Sequence, residues 1–274
     1  MSVLILNGFD RCGSSAISRT LSQHPQVELI FQPFNSGSIR SKMYQILSSE
    51  NASKQDYDFY DGLRSGSIDE SYIKSEWYYK YSTTRTIVPR HLHIVKTTIN
   101  HFTAEWHLEN FPEIPLWGIW REPEAILNSI LRNSFTDKWY SDALEGLKPT
   151  LSVCDALKDY LAFIPQLSDH VALTSFFIAV RSHYFFQRIP VENILRYELF
   201  ATSPSQELGR VCNAFDLEMA DFDAFSKHDL NVIGKAYQPK QQEVCEIRDP
   251  QLVNAIFAPL KQMMYNKFKQ QPND

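Results

Sequence analysis

A short apolar segment that runs into a loop with two glycines constrains the fold of this chain more than any other feature. Residues 3–6 form a continuous, β-branched-rich apolar run, which is typical of a strand buried on both faces of a parallel sheet. The loop between Gly8 and Gly13 follows, then residues 16–21 with helical spacing, and then a second apolar run at residues 27–31. This strand–loop–helix–strand unit has the length of a βαβ crossover.

The same alternation continues along the chain. Further strand patterns occur at residues 93–97, 116–120 and 193–197, and helical patterns at residues 98–110, 124–132, 152–188, 204–215 and 250–269. Residues 35–90 differ, because they are rich in Ser, Tyr, Asp and Lys and show little periodicity. We expect one α/β domain over residues 1–274, with a P-loop-like parallel sheet flanked by helices, a helical insertion at 35–90 and a helical C-terminal half.

The charge balance and the cysteine spacing narrow the partners and the compartment. A net charge of −5 argues against broad binding to nucleic acid or to an anionic membrane, but permits a small anionic ligand. No apolar run approaches the roughly 20 residues of a membrane helix, and the N-terminus lacks the basic region of a signal peptide. The four cysteines are far apart, as expected for reduced thiols. We therefore expect a cytoplasmic protein with no membrane span and no nucleic-acid partner.

The glycine loop has the spacing of a phosphate-binding P-loop. Backbone N–H groups in such a loop, together with the positive end of the following helix, favour a bound phosphate. Nucleoside triphosphatases carry a lysine where this chain has Ser14, and that lysine neutralises charge on the β- and γ-phosphates. Its absence argues against ATP or GTP hydrolysis. The alternative is an ordinary tight turn with glycine at positive φ and a serine N-cap.

A second candidate site follows the strand at residues 116–120. Arg121 closes this strand, and Ser129 lies eight residues further on in the predicted helix. At the carboxyl edge of a parallel sheet, Arg121 can bind a phosphate through two N–H groups and Ser129 can donate its hydroxyl. Considered alone, these residues are better explained as a surface Arg–Glu pair and a solvated serine.

Together, the loop and the Arg121-x-Pro123 segment with Ser129 resemble the sulfotransferases that use 3′-phosphoadenosine 5′-phosphosulfate (PAPS). The resemblance implies that Arg121 and Ser129 bind the 3′-phosphate. It also implies a 5′-phosphosulfate site formed by six residues of the loop: Arg11, Cys12, Gly13, Ser14, Ser15 and Ala16. Cys12 replaces the usual serine, and we expect its backbone N–H to be the useful group.

Two shorter segments extend the resemblance. Val95-Lys96-Thr97 is similar to the Lys-Thr pair that ends the third core strand of the family, and Arg196-Tyr197-Glu198 is similar to its segment near the adenine. By this similarity Tyr197 contacts the nucleotide, while Lys96 and Arg11 stabilise charge that develops during transfer. The resemblance covers residues 3–30 and 93–215. It leaves out the insertion, which we expect on the acceptor side, and the C-terminal tail.

The general base is where the chain departs from the family pattern. Gln32 and Thr98 occupy the two positions at which relatives carry a titrating residue, and neither side chain accepts a proton at pH 7. His101 follows the Lys96-Thr97 strand end closely, so we expect it to be the catalytic base. Three further candidates stay open: Asp10, His91 and His93.

These observations predict a PAPS-dependent sulfotransferase that acts on a hydroxyl or amine of a small-molecule acceptor and requires no metal. Two alternatives remain. One is a P-loop kinase for a small molecule or a nucleotide, and the other is a non-catalytic PAPS-binding protein. The sequence contains no motif that identifies the acceptor.

Overall fold

A computed structural model describes residues 2–35, 42–65, 91–132, 138–224 and 247–270. The strands are β1 (Ser2–Gly8), β2 (Val27–Phe31), β3 (Leu92–Thr97), β4 (Leu116–Trp120) and β5 (Ile194–Arg196). The α-helices are α1 (Ser14–Leu21), α2 (Lys54–Ser65), α3 (Ala104–Asn110), α4 (Pro123–Leu131), α5 (Lys138–Val153), α6 (His170–Arg188), α7 (Tyr197–Thr202), α8 (Pro204–Ala214) and α9 (Pro250–Lys269). 3-10 helices span Pro33–Asn35, Asp155–Gln166 and Val191–Asn193.

The five strands form one parallel sheet in the order β2-β3-β1-β4-β5. β1 lies at the centre, and its Ile5 is in register with Val95 of β3 on one side and Leu116 of β4 on the other. Burial on both faces explains the continuous apolar run of β1. The predicted α/β fold with a parallel sheet is confirmed. All the strands point the same way, so the segments that follow β1, β3, β4 and β5 share the carboxyl edge of the sheet.

The predicted helical stretch at residues 152–188 is divided among three elements, of which the first is the end of α5. A 3-10 helix follows at Asp155–Gln166 and contains Pro165. The α-helix begins only at His170, where the carboxylate of Asp169 caps it by accepting from Ala172 N at 2.8 Å. The last strand is also shorter than predicted, since Tyr197 already belongs to α7.

Helix α6 is the buried centre of the helical layer. Residues 176–180 are fully buried, as expected for a helix that is apolar on all sides. A Cβ atom on Gly118 of β4 would lie 2.6 Å from the Phe186 ring, so this glycine lets α6 pack directly on the sheet. Neither α6 nor any other helix in the described ranges is long and apolar enough to cross a membrane.

The predicted insertion is described only in part. It contains α2, whose Phe59, Tyr60 and Leu63 are buried in the same hydrophobic cluster as Trp106 of α3. Residues 36–41 and 66–90 of the insertion lie outside the described residues.

Candidate active site

The loop after β1 has two residues in the left-handed backbone region. Arg11 has φ 68° and Gly13 has φ 93°, and Gly13 is the N-cap of α1. The first hydrogen bond of α1 runs from Ile17 N to Gly13 O at 3.1 Å, so the N–H groups of Ser14–Ala16 have no partner within the helix. Because the Ser14 N–H donates to the Cys12 thiol, the N–H groups of Ser15 and Ala16 remain at this helix N-terminus to form a cradle for an anion.

The two glycines of the loop are needed for different reasons. At Gly13, a Cβ atom would lie 2.1 Å from Cδ2 of Tyr197, and the positive φ would strain any other residue. At Gly8, a Cβ atom would lie 2.5 Å from Sγ of Cys12. Gly8 therefore serves packing, whereas Gly13 serves both backbone conformation and packing.

Cys12 does not offer its N–H to a ligand, which corrects one prediction from the sequence. Its N–H donates to Phe9 O at 3.0 Å and closes a turn inside the loop. Burial raises the pKa of the Cys12 thiol to about 11, against the effect of hydrogen bonds from Ser14. Because the thiol is buried and protonated at neutral pH, its role in the loop is to fill the space next to Gly8.

Two hydrogen bonds join the loop to the second predicted phosphate motif. Arg11 Nε donates to Ser129 Oγ at 3.2 Å, between residues 118 positions apart in the chain. Arg121 Nη1 donates to Arg11 O at 2.8 Å. The fold therefore brings together the residues that sequence reasoning took from two separate segments.

Arg121 also contacts Tyr197, the residue predicted to lie near the nucleotide. The guanidinium carbon lies 4.4 Å from the centre of the Tyr197 ring, and the same ring packs against Gly13. Within the described residues, Arg121 Nε is enclosed and has no hydrogen-bond partner. A buried unpaired donor costs about 1–3 kcal/mol, which a bound anion would recover.

Lys96 supplies a buried positive charge beside the loop. It sits on β3 in register with Leu6 of β1, and its Nζ lies 4.5 Å from the centre of the Phe31 ring. Burial lowers the pKa of Lys96 to about 8, although the nearby Asp10 carboxylate and Cys12 thiol oppose this shift. At pH 7 the ammonium is still mainly charged, but it loses its proton readily.

His101 does not have the properties of the general base predicted for it. Its side chain is 0% exposed, and its Nδ1 lies 3.0 Å from Arg181 Nη2. Because a guanidinium only donates, Nδ1 is the acceptor and the ring proton belongs on Nε2. Burial, aided by the charge of Arg181, lowers the pKa of His101 well below its usual value. No basic nitrogen of this imidazole is left to take a proton from an acceptor.

The two other histidine candidates lie at the wrong edge of the sheet. His93 is in register with Val3 at the amino end of β1, and His91 precedes β3. Four residues of strand separate His93 from Thr97, which is roughly 13 Å. The fourth candidate, Asp10, lies in the loop and acts electrostatically on Lys96.

Sequence reasoning missed two polar residues near this edge. Asn7 is fully buried in register with Thr97, and neither polar atom of its amide has a partner in the described part of the chain. Arg181 is buried in α6 and contacts His101. A charged residue directly after the apolar run 171–180 was the available signal for Arg181. Among the described residues, no three metal-ligating side chains come together.

No protein-family model and no curated protein matches the chain. Among solved structures, it is similar to the sulfotransferase domain of the Synechococcus PCC 7002 olefin synthase, with 10% identity, 99% of this chain and 95% of that chain covered, and a TM-score of 0.41. Mouse sulfotransferase SULT7A1 complexed with PAP is similar with 11% identity, 98% and 84% coverage, and a TM-score of 0.42. Sulfotransferase STF9 from Mycobacterium avium is similar with 14% identity, 94% and 76% coverage, and a TM-score of 0.42. All three are sulfotransferases, the family that the sequence resembles. A likeness of this strength supports no conclusion about activity.

Proposed function

We propose that this chain is a PAPS-dependent sulfotransferase that transfers a sulfonate group to a hydroxyl or amine of a small-molecule acceptor. The observation that carries the proposal is the contact between its two phosphate motifs, through Arg121 Nη1 to Arg11 O and Arg11 Nε to Ser129 Oγ. A nucleotide that bears anionic groups at both its 5′ and 3′ positions fits two adjacent sets of donors. The proposal keeps the cytoplasmic location expected from the sequence.

The donors present fit such a nucleotide. The N–H groups of Ser15 and Ala16 and the charge of Arg11 suit a 5′-phosphosulfate. The enclosed, unpaired Nε of Arg121 suits a 3′-phosphate beside Ser129. PAPS would supply an activated sulfonate with adenosine 3′,5′-bisphosphate (PAP) as the leaving group.

Lys96 and Arg11 are the residues that we assign to charge stabilisation. Sulfonate transfer to an acceptor in line with the leaving nucleotide builds negative charge on the departing oxygen and on the sulfonate oxygens. A buried ammonium acts on such charge in a medium of low dielectric, where its effect is larger than in water. Lys96 is nearly fully buried, so its ammonium is fixed before the reaction begins.

Because His101 is not available as a base, another group must accept the proton of the acceptor hydroxyl or amine. We assign this role to the carboxylate of Asp10, which lies in the loop close enough to influence the ammonium of Lys96. An acceptor that ionises by itself, such as a phenol, would need no protein base.

A non-catalytic PAPS-binding protein is the second candidate, and one observation favours it. His101 is held as a neutral hydrogen-bond donor, while Gln32 and Thr98 replace the usual bases. A P-loop kinase has no such support, because Ser14 stands where the lysine of that class binds the β- and γ-phosphates.

Turnover of PAPS tests the proposal against the second candidate. The purified chain is incubated with PAPS and a panel of phenols, alcohols and amines, and PAP release is measured. We expect acceptor-dependent release that Lys96→Met lowers by about 10²-fold or more, as for loss of one charge-stabilising group. Arg132→Ala, which changes an exposed arginine on the surface beyond α4, is the control and should keep full activity. PAP binding without release for any acceptor would favour the non-catalytic protein.

A further inference from the structure

Arg181 is a buried cation in helix α6. Arg181 is only 2% exposed to solvent, and its Nη2 donates to Thr98 O at 2.6 Å and to His101 Nδ1 at 3.0 Å. In the described part of the chain it forms no ion pair with a carboxylate, and its Nε is enclosed without a hydrogen-bond partner. Burying a charge is costly unless it is paired. The arrangement therefore leaves a positive charge for which the described residues hold no counter-ion.

This charge lies next to the proposed transfer site. Thr98, whose carbonyl accepts from Arg181, follows Lys96 and Thr97 at the carboxyl edge of β3. The guanidinium carbon also lies 4.9 Å from the centre of the Phe9 ring, in the loop that precedes Arg11. Arg181 therefore contacts the proposed sulfonate-binding loop through the ring of Phe9.

A second enclosed polar atom lies on the side chain that contacts Arg181. His101 Nε2, which carries the ring proton, has no partner among the described residues. Buried polar atoms are normally hydrogen-bonded, so two unpaired donors on neighbouring side chains point to a polar ligand.

We propose that Arg181 and His101 form an anion subsite that binds a carboxylate of the acceptor. This inference rests on the proposed sulfotransferase function and names its acceptor class as hydroxy acids or amino acids. Arg181 would donate through Nε, and His101 would donate through Nε2. The unusual histidine then acts as a specificity residue, which explains why it is held in a tautomer unsuited to a base.

Small carboxylates test the subsite separately from the nucleotide site. The purified chain is first saturated with PAP, as shown by calorimetry, so that the loop is filled. Thermal unfolding is then measured with increasing sodium acetate, against sodium chloride at equal ionic strength. We expect acetate to raise the unfolding midpoint of the wild type and to leave that of Arg181→Met unchanged. Arg64→Met, which removes an exposed arginine on α2, should respond like the wild type.

A paired-substrate measurement adds a catalytic readout. We expect kcat/KM for a hydroxy acid to exceed that for its methyl ester by about 10-fold or more, because the ester cannot form the charge-assisted hydrogen bond to Arg181. Arg181→Met should abolish this preference without changing the affinity for PAP. An equal kcat/KM for acid and ester would contradict the subsite.

The outcomes separate the two proposals. If PAP binds but acetate does not stabilise the wild type more than Arg181→Met, the subsite is wrong and the proposed function stands. If PAP does not bind, the proposed function is wrong, and the same acetate comparison on the free protein still decides the role of Arg181. If Arg181→Met does not fold, Arg181→Lys replaces it, and we then expect an acetate affinity about 10-fold weaker than that of the wild type. An unchanged affinity in that variant would overturn the subsite.

Discussion

Arg11 Nε donates a hydrogen bond to Ser129 Oγ over 3.2 Å and so ties the loop after β1 to helix α4. Arg11 has a left-handed backbone, with φ 68°, which costs roughly 1–2 kcal/mol for a residue other than glycine. The bonds from its side chain to Ser129 and from Arg121 to its carbonyl hold that conformation. The two proposed phosphate sites are therefore one structural unit, and a change in one should affect the other.

Ser129→Ala tests this connection. The variant removes the hydroxyl that accepts from Arg11, and a hydrogen bond to a charged group is worth about 1.5–3 kcal/mol. We expect the affinity for PAP to fall by about 10-fold or more, measured by isothermal titration calorimetry. Ser152→Ala removes a hydroxyl that bonds only to carbonyls of its own helix α5 and should bind PAP like the wild type. Equal affinities for the two variants would show that Ser129 does not shape the site.

Gly13→Ala tests the conformation of the cradle. The new Cβ would lie 2.1 Å from the Tyr197 ring, on a backbone with φ 93°. We expect PAP binding to be lost and the free energy of unfolding to fall by more than about 1 kcal/mol. Gly146→Ala is the control, because there the nearest atom lies 3.8 Å from the new Cβ and α5 favours alanine. If Gly13→Ala binds PAP normally, the loop is not the nucleotide site.

Lys96 predicts a pH dependence of nucleotide binding. Its pKa of about 8 in the free protein means that the ammonium loses its proton as the pH rises through that value. Because PAP is anionic throughout this range, its affinity should fall above pH 8 in the wild type and remain flat in Lys96→Met. Calorimetry between pH 7 and pH 9.5 gives the two profiles. A wild-type profile as flat as that of Lys96→Met would remove Lys96 from the site.

The same group predicts how stability changes with pH in the absence of ligand. The pKa of Lys96 lies near 8 in the folded state and near the ordinary lysine value of 10.5 in the unfolded state. Between these values the unfolded chain binds more protons, so the free energy of unfolding contributed by Lys96 rises with pH across this window. Chemical unfolding of the wild type and Lys96→Met at pH 7.5 and pH 10 should show the wild type gaining relative to the variant. A constant difference between them would contradict the burial of this ammonium.

Much of the site follows from the sequence because of the geometry of parallel sheets. The segments after β1 and β4 must meet at one edge, so Arg11 and Ser129 are predictably close once both strands are recognised. The surroundings of His101 were not predictable in this way. They depend on how α6 is rotated against the sheet, and sequence spacing does not show that Arg181 faces His101.

The prediction that the Cys12 N–H binds the ligand was wrong because the sequence spacing does not show hydrogen bonds within the loop. The loop closes a turn on itself, from Cys12 N to Phe9 O, and this local hydrogen bond competes with the ligand for the same donor. The spacing of two glycines predicts the loop but not which of its N–H groups remain available. The place of His91 and His93 at the far edge, by contrast, follows from the start of β3 at Leu92.

The absence of a lysine at Ser14 predicts that the loop does not hydrolyse triphosphates. Purified protein with ATP and Mg²⁺ should release no phosphate above background, and Ser14→Lys should not create this activity. Strong Mg²⁺-dependent hydrolysis by the wild type would instead favour a kinase-like function.

The most direct test of the central claim is a comparison of PAP with 5′-AMP, which lacks the 3′-phosphate. Calorimetry on the wild type should show PAP binding about 10–150-fold more tightly, the range for a charge-assisted pair of hydrogen bonds. Arg121→Ala should abolish this difference while Arg132→Ala keeps it. Equal affinities of the wild type for the two nucleotides would contradict the assignment of Arg121 and Ser129 to a 3′-phosphate site, and with it the proposed use of PAPS.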